Sequence, residues 1–244
     1  MCSYTLVATA NVLDALGRAD ARAAVETVLR EEPHLVGLQE WGWSRRALLP
    51  RTDYEWFNPV YGGNAVGARR DRYDHLGARI HILAGIGWSD RGARPLPVLA
   101  PRVATVVRLR DRLHDRTVSV VNYHLVPGVQ ARGSYRSDRP LLVARHAREV
   151  RRLRGLVRAQ LAAGHVTFAV GDSNFQGLRL PGLTSAWEGR PEGPGTLGSS
   201  RRIDDVFGPG PAAAVTLFAT ASDHKAVLAV RPDHPSPAAG PAVR

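Results

Sequence analysis

Little in this chain is available for covalent or soft-metal chemistry. Cys2 is the only cysteine among 244 residues, so an internal disulfide and a thiolate zinc site are both excluded. No two histidines stand at i and i+4, the spacing that puts two imidazoles on one helix face. No apolar run approaches the roughly 20 residues of a membrane span. The opening Met-Cys-Ser-Tyr-Thr-Leu-Val-Ala lacks a basic segment ahead of its apolar stretch and reads as a first strand rather than an export signal. A soluble, cytoplasmic protein is the expectation. Ser173 lies in Gly-Asp-Ser-Asn, outside any Gly-x-Ser-x-Gly elbow, which speaks against a serine nucleophile. Lysine is scarce too: Lys225 is the only one, and arginine supplies the rest of a formal charge of +11. With Ala, Gly and Pro abundant and the arginines spread along the whole length, this charge reads as a compositionally biased, solvated surface rather than a dedicated polyanion groove.

What is present is a chain long and apolar enough, at 44% hydrophobic, for one large domain. The clearest element is 165 to 174. Val166, Phe168 and Val170 alternate with Thr167 and Ala169 in a strand apolar on both faces, Gly171 permits a bend, and Asp172, Ser173 and Asn174 follow at its carboxyl end. Alone this could be a turn, since Gly, Asp, Ser and Asn all favour turns. Four other apolar runs, however, also end in polar groups. Tyr4 to Ala10 ends at Asn11. A helix capped by Asp20 and running to about Glu32 leads to the strand Leu35 to Leu38, which ends at Gln39-Glu40. Strand, helix and strand at this spacing make a parallel crossover that sets Asn11 beside Glu40.

Further along, 41 to 63 reads as loop, one short strand and core aromatics. Asn64 to Ala68 and Ala78 to Ala84 read as paired strands, and 85 to 101 as a long loop. Val103 to Leu109 and Val118 to Tyr123 form a hairpin ending at Asn122-Tyr123-His124. After a loop over 125 to 140, Leu142, His146, Val150, Leu153, Val157 and Leu161 mark an amphipathic helix with its arginines in solvent, stopped by Gly164. The Gly- and Pro-rich stretch to about Ser200 reads as a substrate rim or lid outside the core. Arg201 to Phe207, Ala213 to Ala219 and Ala226 to Val230 complete the strands. One domain over 1 to 231 and a disordered Pro/Ala-rich tail over 232 to 244 are expected.

The polar strand ends collect Asn11, Glu40, His124, Asp172, Asn174, Asp204, Asp223 and His224. Few carboxylates per site and no His-rich spacing favour Mg²⁺ or Mn²⁺ over zinc. In Asp223-His224 the imidazole can move protons near neutrality, and Asp204 from a neighbouring strand can fix its tautomer.

Taken in order, Asn11, Gln39-Glu40, Asn122-x-His124, Gly171-Asp172-x-Asn174, Arg202-Ile203-Asp204 and Ser222-Asp223-His224 resemble the endonuclease/exonuclease/phosphatase superfamily across about residues 4 to 230. The resemblance implies an α+β fold, a four-layer α/β/β/α sandwich of two mixed sheets packed face to face with flanking helices, as in deoxyribonucleases. It implies metal-dependent hydrolysis of a phosphate ester by in-line attack of water. On that pattern Glu40, Asn11 and Asp223 serve the metal; Asp172 orients or deprotonates the water; Asn174 and His124 hold the phosphate; and His224, fixed by Asp204, assists or is the alternative base. A nuclease acting on DNA or RNA is the narrower alternative, with Arg132, Arg136 and Arg139 as candidate contacts. A non-catalytic binding module is the third, and would be expected to lack one of Glu40, Asp172, Asn174 or His224. The chain departs from the pattern at Leu13, where abasic-endonuclease types carry an acid; at His124, where they carry tyrosine; and at Asp205, where an aromatic is usual. Asp205 therefore competes with Asp204 as the partner of His224.

Overall fold

Period-two apolar runs joined by Gly-, Pro- and Arg-rich turns leave strands as the economical structure for most of this chain, and only two stretches carry a helical period. A computed structural model describes residues 3–90, 92, 98–131 and 133–233. Strands β1 (Tyr4–Asn11), β2 (Leu35–Gln39), β3 (Tyr54–Phe57) and β4 (Ala65–Arg69) are followed by β5 (Tyr73–Ala84) and a short pair, β6 (Gly87–Trp88) and β7 (Val98–Leu99). Next come β8 (Arg102–Asp111), β9 (Arg116–His124) and a second short pair, β10 (Gln130–Ala131) and β11 (Ser134–Tyr135). The remaining strands are β12 (Val166–Asp172), β13 (Thr184–Ser185), β14 (Asp204–Gly208), β15 (Ala214–Phe218) and β16 (Ala226–Pro232). Helix α1 spans Arg18–Leu29 and α2 spans Pro140–Ala162.

Two six-stranded sheets result, in the orders β15-β16-β1-β2-β4-β3 and β13-β14-β12-β9-β8-β5. Each is mixed: β1 and β2 run parallel, as the crossover predicts, and so do β9 and β12, while their other neighbours are antiparallel. Val7, Leu35, Val66, Val107, Val120, Phe168, Val170 and Val227 fill the space between the sheets. Ala21, Val25 and Val28 of α1 close the outer face of the first sheet. Val150, Leu153 and Val157 of α2 close that of the second. The arrangement is the four-layer α/β/β/α sandwich. Phe168 and Val170 of β12 face the other sheet while Ala169 faces α2, which is why that strand is apolar on both sides.

Several local expectations need correction. Strands β4 and β5 do not pair with each other: β4 lies between β2 and β3, and β5 joins β8 in the other sheet. The three residues between them cross from one sheet to the other, because buried Arg72 turns inward to Asp111 and the backbone oxygen of Tyr4. Helix α1 begins at Arg18 behind Gly17 and has no side-chain cap; Asp20 instead occupies the first turn, where its charge complements the helix dipole. The stretch after Asn174 is not wholly outside the core, since Leu180 and Ala186 are buried. On α2, Arg145 is not in solvent but buried against Glu149 at 2.9 Å. Gly171 stays within β12 yet takes φ +149°, a backbone conformation that favours glycine, and its Cβ would lie 2.0 Å from the Tyr123 carbonyl oxygen, so the residue also permits close strand approach. Strand β16 runs through Pro232, and Asp233 is bonded to Ser3 and Thr5, two residues past the expected domain end. The rest of the expected tail, 234 to 244, lies outside the described residues, as do Arg132 and positions 91 and 93 to 97.

Candidate active site

Parallel neighbours end together, so the carboxyl ends of β1 and β2 in one sheet face those of β9 and β12 in the other. Asn11 is in register with Gln39 across β1 and β2, and His124 with Asp172 across β9 and β12. A polar tie beneath the rim sets the sheet separation. Gln39 Nε2 donates to Asn122 Oδ1 at 2.7 Å, and Asn122 Nδ2 donates to the backbone oxygens of Leu38 and Ala65. The motif residue Asn122 thus joins the two sheets rather than entering the site.

Above this tie lies a cavity of about 540 Å³ lined by Asn11, Glu40, His124, Asp172, Asn174 and His224, together with Asp14, Arg102, Gly62 and Leu197. Asn11 bridges the sheets: its Nδ2 donates to Asp172 Oδ2 at 3.0 Å and to Glu40 Oε1 at 3.3 Å. Its own Oδ1 is buried and has no hydrogen-bond partner. An unpartnered buried acceptor beside a carboxylate is costly unless something electropositive completes it, and hard oxygen donors of this kind suit a divalent cation. The backbone amide of Asp14 fixes Glu40 Oε2 at 2.8 Å. Arg45 secures that loop by donating to the carbonyls of Val12, Leu13, Asp14 and Leu16. Where Leu13 replaces the acid of the resembled pattern, Asp14 lines the cavity instead.

Asp172 is fully enclosed. Burial first, and the charge of Asp204 second, raise its pKa to about 7, against the opposing pull of His224, the Asn174 amide and Asn11. Asn174, held at φ +50°, turns its backbone amide onto Asp172 Oδ1 at 2.7 Å and its side chain toward Oδ2 and the Leu125 carbonyl. His224 Nδ1 lies 2.8 Å from Asp204 Oδ2, and its Nε2 lies 3.9 Å from Asp172 Oδ2. Burial alone would lower its pKa; the Asp204 hydrogen bond and charge outweigh that and raise it to about 9. The competitor Asp205 points away, accepting from Ser185 and the Ala186 amide, because adjacent strand residues face opposite sides.

His124 behaves differently. Burial, then the charges of Arg102 and His224, hold its pKa well below the usual histidine range. Arg102 Nη1 stands 3.3 Å from Nδ1, and a guanidinium can only donate, so the neutral ring carries its proton on Nε2. That Nε2 lies 3.6 Å from Asp172 Oδ2 and 3.9 Å from Glu40 Oε1, directed into the cavity.

One buried Asp172, Asp204, His224 group also has ligand atoms within 4.8 Å of one another. Within that group His224 Nδ1 and Asp204 Oδ2 are already bonded to each other, and the Asn11 oxygen, which has no hydrogen-bond partner, with Glu40 beside it offers the freer hard donors. Asp223 is not brought in: it is exposed and bonded to Ser222. Arg136 is paired with Asp138, and Arg139 holds the Gly128 carbonyl. Sequence reasoning missed Arg102, the one guanidinium lining the cavity among the described residues; nothing distinguishes it from the other arginines along the chain. It also missed α2 as a brace. His146 Nε2 donates to the Ser173 carbonyl and Glu149 accepts from the Val126 amide, so both rim loops rest on one helix.

No protein-family model matches the chain and no curated protein is significantly similar to it in sequence. Solved structures are similar in fold. TDP2 from C. elegans is 18% identical over 94% of this chain and 75% of that one, with a TM-score of 0.69. D. rerio TDP2 complexed with single strand DNA product is 15% identical over 93% and 98%, with a TM-score of 0.62. The mannosyl-6-phosphatase of Bacteroides thetaiotaomicron is 14% identical over 92% and 98%, with a TM-score of 0.61. An endonuclease/exonuclease/phosphatase family protein of the same organism has a TM-score of 0.63 at 14% identity over 94% and 98%. The chain has the fold of the endonuclease/exonuclease/phosphatase proteins.

Proposed function

We propose that the chain is a divalent-metal-dependent phosphoester hydrolase that directs water in line at a phosphate. The observation that carries this is the meeting of Asn11 and Glu40 from one sheet with Asp172 and His224 from the other, closed by the 3.0 Å bond from Asn11 to Asp172. Glu40 and the free Asn11 oxygen are the residues that would hold a cation. Mg²⁺ or Mn²⁺ there would supply a Lewis acid against a non-bridging phosphate oxygen.

The remaining work falls to side chains. Asp172 accepts the proton of the attacking water, its pKa near working pH being what a general base requires. Asn174 and Asn11 keep that carboxylate in one orientation. His224, protonated at neutral pH, is a poor base and instead donates from Nε2 to a phosphoryl oxygen while Asp204 holds its other nitrogen. His124 Nε2–H and Arg102 offer further donors to the same oxygens, fixed in place before substrate arrives. Proton-transfer groups of this type are worth about 100- to 10,000-fold. With bis(p-nitrophenyl) phosphate and Mn²⁺ or Mg²⁺, the wild type should turn over, and chelator or Asp172→Ala should abolish it. Equal slow hydrolysis by both proteins would end the reading.

Nucleic acid is the second reading, favoured by the single-strand DNA product held by D. rerio TDP2 and the charge of +11. Plasmid nicking that falls steeply with salt is its test. The pairing of Arg136 with Asp138 counts against the loop contacts it would use.

A further inference from the structure

The two flanks of the catalytic cavity differ in chemistry. Past Leu197 lies a hollow of about 710 Å³ whose walls include Gln130, Gln176, Glu192, Arg201 and Arg202. Past His124 lies a smaller one, about 340 Å³, whose walls add Tyr61, Leu99, Pro101 and Val103 to the Gly62, Arg102 and His124 that it shares with the catalytic cavity. Its size falls within the range of small-molecule sites. It is a built slot. The Tyr61 hydroxyl is 3.4 Å from the Pro101 carbonyl across it, and Gly62, at φ +90°, would drive a Cβ to 2.0 Å from Val103 Cγ2. A larger residue at 62 would therefore have to displace the wall. Tyr61 itself is 46% exposed, an aromatic face left open at the mouth.

We infer that this slot is a specificity subsite for a compact apolar group, of the size of an aryl ring, attached to the phosphorus bound beside His124 and Arg102. The polar part of the substrate goes to the opposite flank. The inference rests on the phosphoester reading and narrows it: the natural substrate is an unsymmetrical phosphoester with one apolar and one polar substituent. Continuity decides the occupant. The slot and the catalytic cavity share Gly62, Arg102 and His124 as walls, so a substituent on a phosphate held beside those residues can enter the slot without leaving the site. Tyr61, Leu99, Pro101 and Val103 give it apolar surface and no charge.

Benzylphosphonate and methylphosphonate, whose P–C bonds resist hydrolysis, test this by calorimetry in Mn²⁺. Wild-type protein should bind benzylphosphonate at least about tenfold more tightly, the gain expected from burying a ring. Tyr61→Ala and Leu99→Gln should each bring that ratio close to unity, whereas Gln176→Ala and Arg201→Ala should leave it unchanged. Thermal melts establish that each variant is folded. Wild-type ratios near unity, or a ratio lost through Gln176→Ala or Arg201→Ala instead, overturn the subsite while leaving the hydrolase reading intact. Failure of methylphosphonate to bind at all would overturn both.

Discussion

Replacing Asp204 by asparagine separates charge from geometry at this site. Asparagine Oδ1 can still accept the His224 Nδ1–H bond, observed at 2.8 Å, so the ring keeps its tautomer and position and loses only the neighbouring negative charge. That charge and its hydrogen bond raise His224 from 6.5 to about 9 against the opposing effect of burial. An adjacent opposite charge shifts a pKa by about 1 to 3 units, so the variant histidine should titrate about 2 units lower, equivalent to about 3 kcal/mol of lost preference for the proton. The folded wild type holds this proton more tightly than the unfolded chain does. Its contribution to stability is therefore complete below about pH 6.5 and is lost as pH rises through about 9. In the variant most of that slope should vanish. The assay is an NMR titration of the histidine ring nitrogens in chelator, paired with urea unfolding at several pH values and a pH–rate profile with metal. At neutral pH the variant should also be slower, by about 100-fold or more. An unchanged His224 titration in the variant would refute the reasoning, whatever happened to the rate.

Two further outcomes follow from buried carboxylates with opposite shifts. Asp172 is raised from 3.8 to about 7, so its charge costs stability above about pH 7 and costs nothing below 3.8. Asp172→Asn should abolish turnover when metal is supplied, yet in metal-free protein it should raise the melting temperature at pH 8 by about 2–4 °C per kcal/mol recovered, and this gain should disappear by about pH 4; a lower melting temperature at pH 8 would contradict it. Asp233 is held below the usual carboxylate range: burial opposes its charge, but hydrogen bonds from Ser3, Thr5 and His114 and the charge of Arg72 prevail. Its stabilisation is present above about pH 3.8 and is lost on acidification through its lower folded value. Asp233→Ala would deprive Arg72 and Arg116 of a buried partner and should cost about 3–5 kcal/mol in urea unfolding at pH 7; a loss below about 1 kcal/mol would refute it.

Much of the architecture follows from local pattern. The alternation in β12, the spacing of β1, α1 and β2 and the heptad-like run of α2 are each fixed by short-range sterics and by which side must shed water. Those same runs end in polar residues, which is how Asn11, Glu40, His124, Asp172, Asn174 and His224 were legible as a rim before any contact between them was known. The apolar pattern predicts a strand over Arg201 to Phe207, yet β14 begins only at Asp204, and the Ile203 and Asp204 amides go to Thr196 Oγ1.

Other features depend on partners distant in sequence, and no local pattern carries them. The passage from β4 to β5 rests on Arg72, which pairs with Asp111 of the neighbouring β8 and donates to the Tyr4 carbonyl and Thr5 Oγ1 of β1 in the other sheet. Asp223 and His224 are adjacent in sequence, yet strand-end geometry buries the histidine and exposes the acid. Arg102 is one arginine among many until β8 pairs antiparallel with β9 and sets it against His124. By itself the sequence determined the elements and the identity of the rim, because backbone sterics and hydrophobic periodicity act over a few residues. Tertiary structure settled Asp204 over Asp205 as the partner of His224, and it alone decided which arginine lines the cavity and which flank is apolar, because hydrogen bonds and Coulomb forces act through distances that only packing defines.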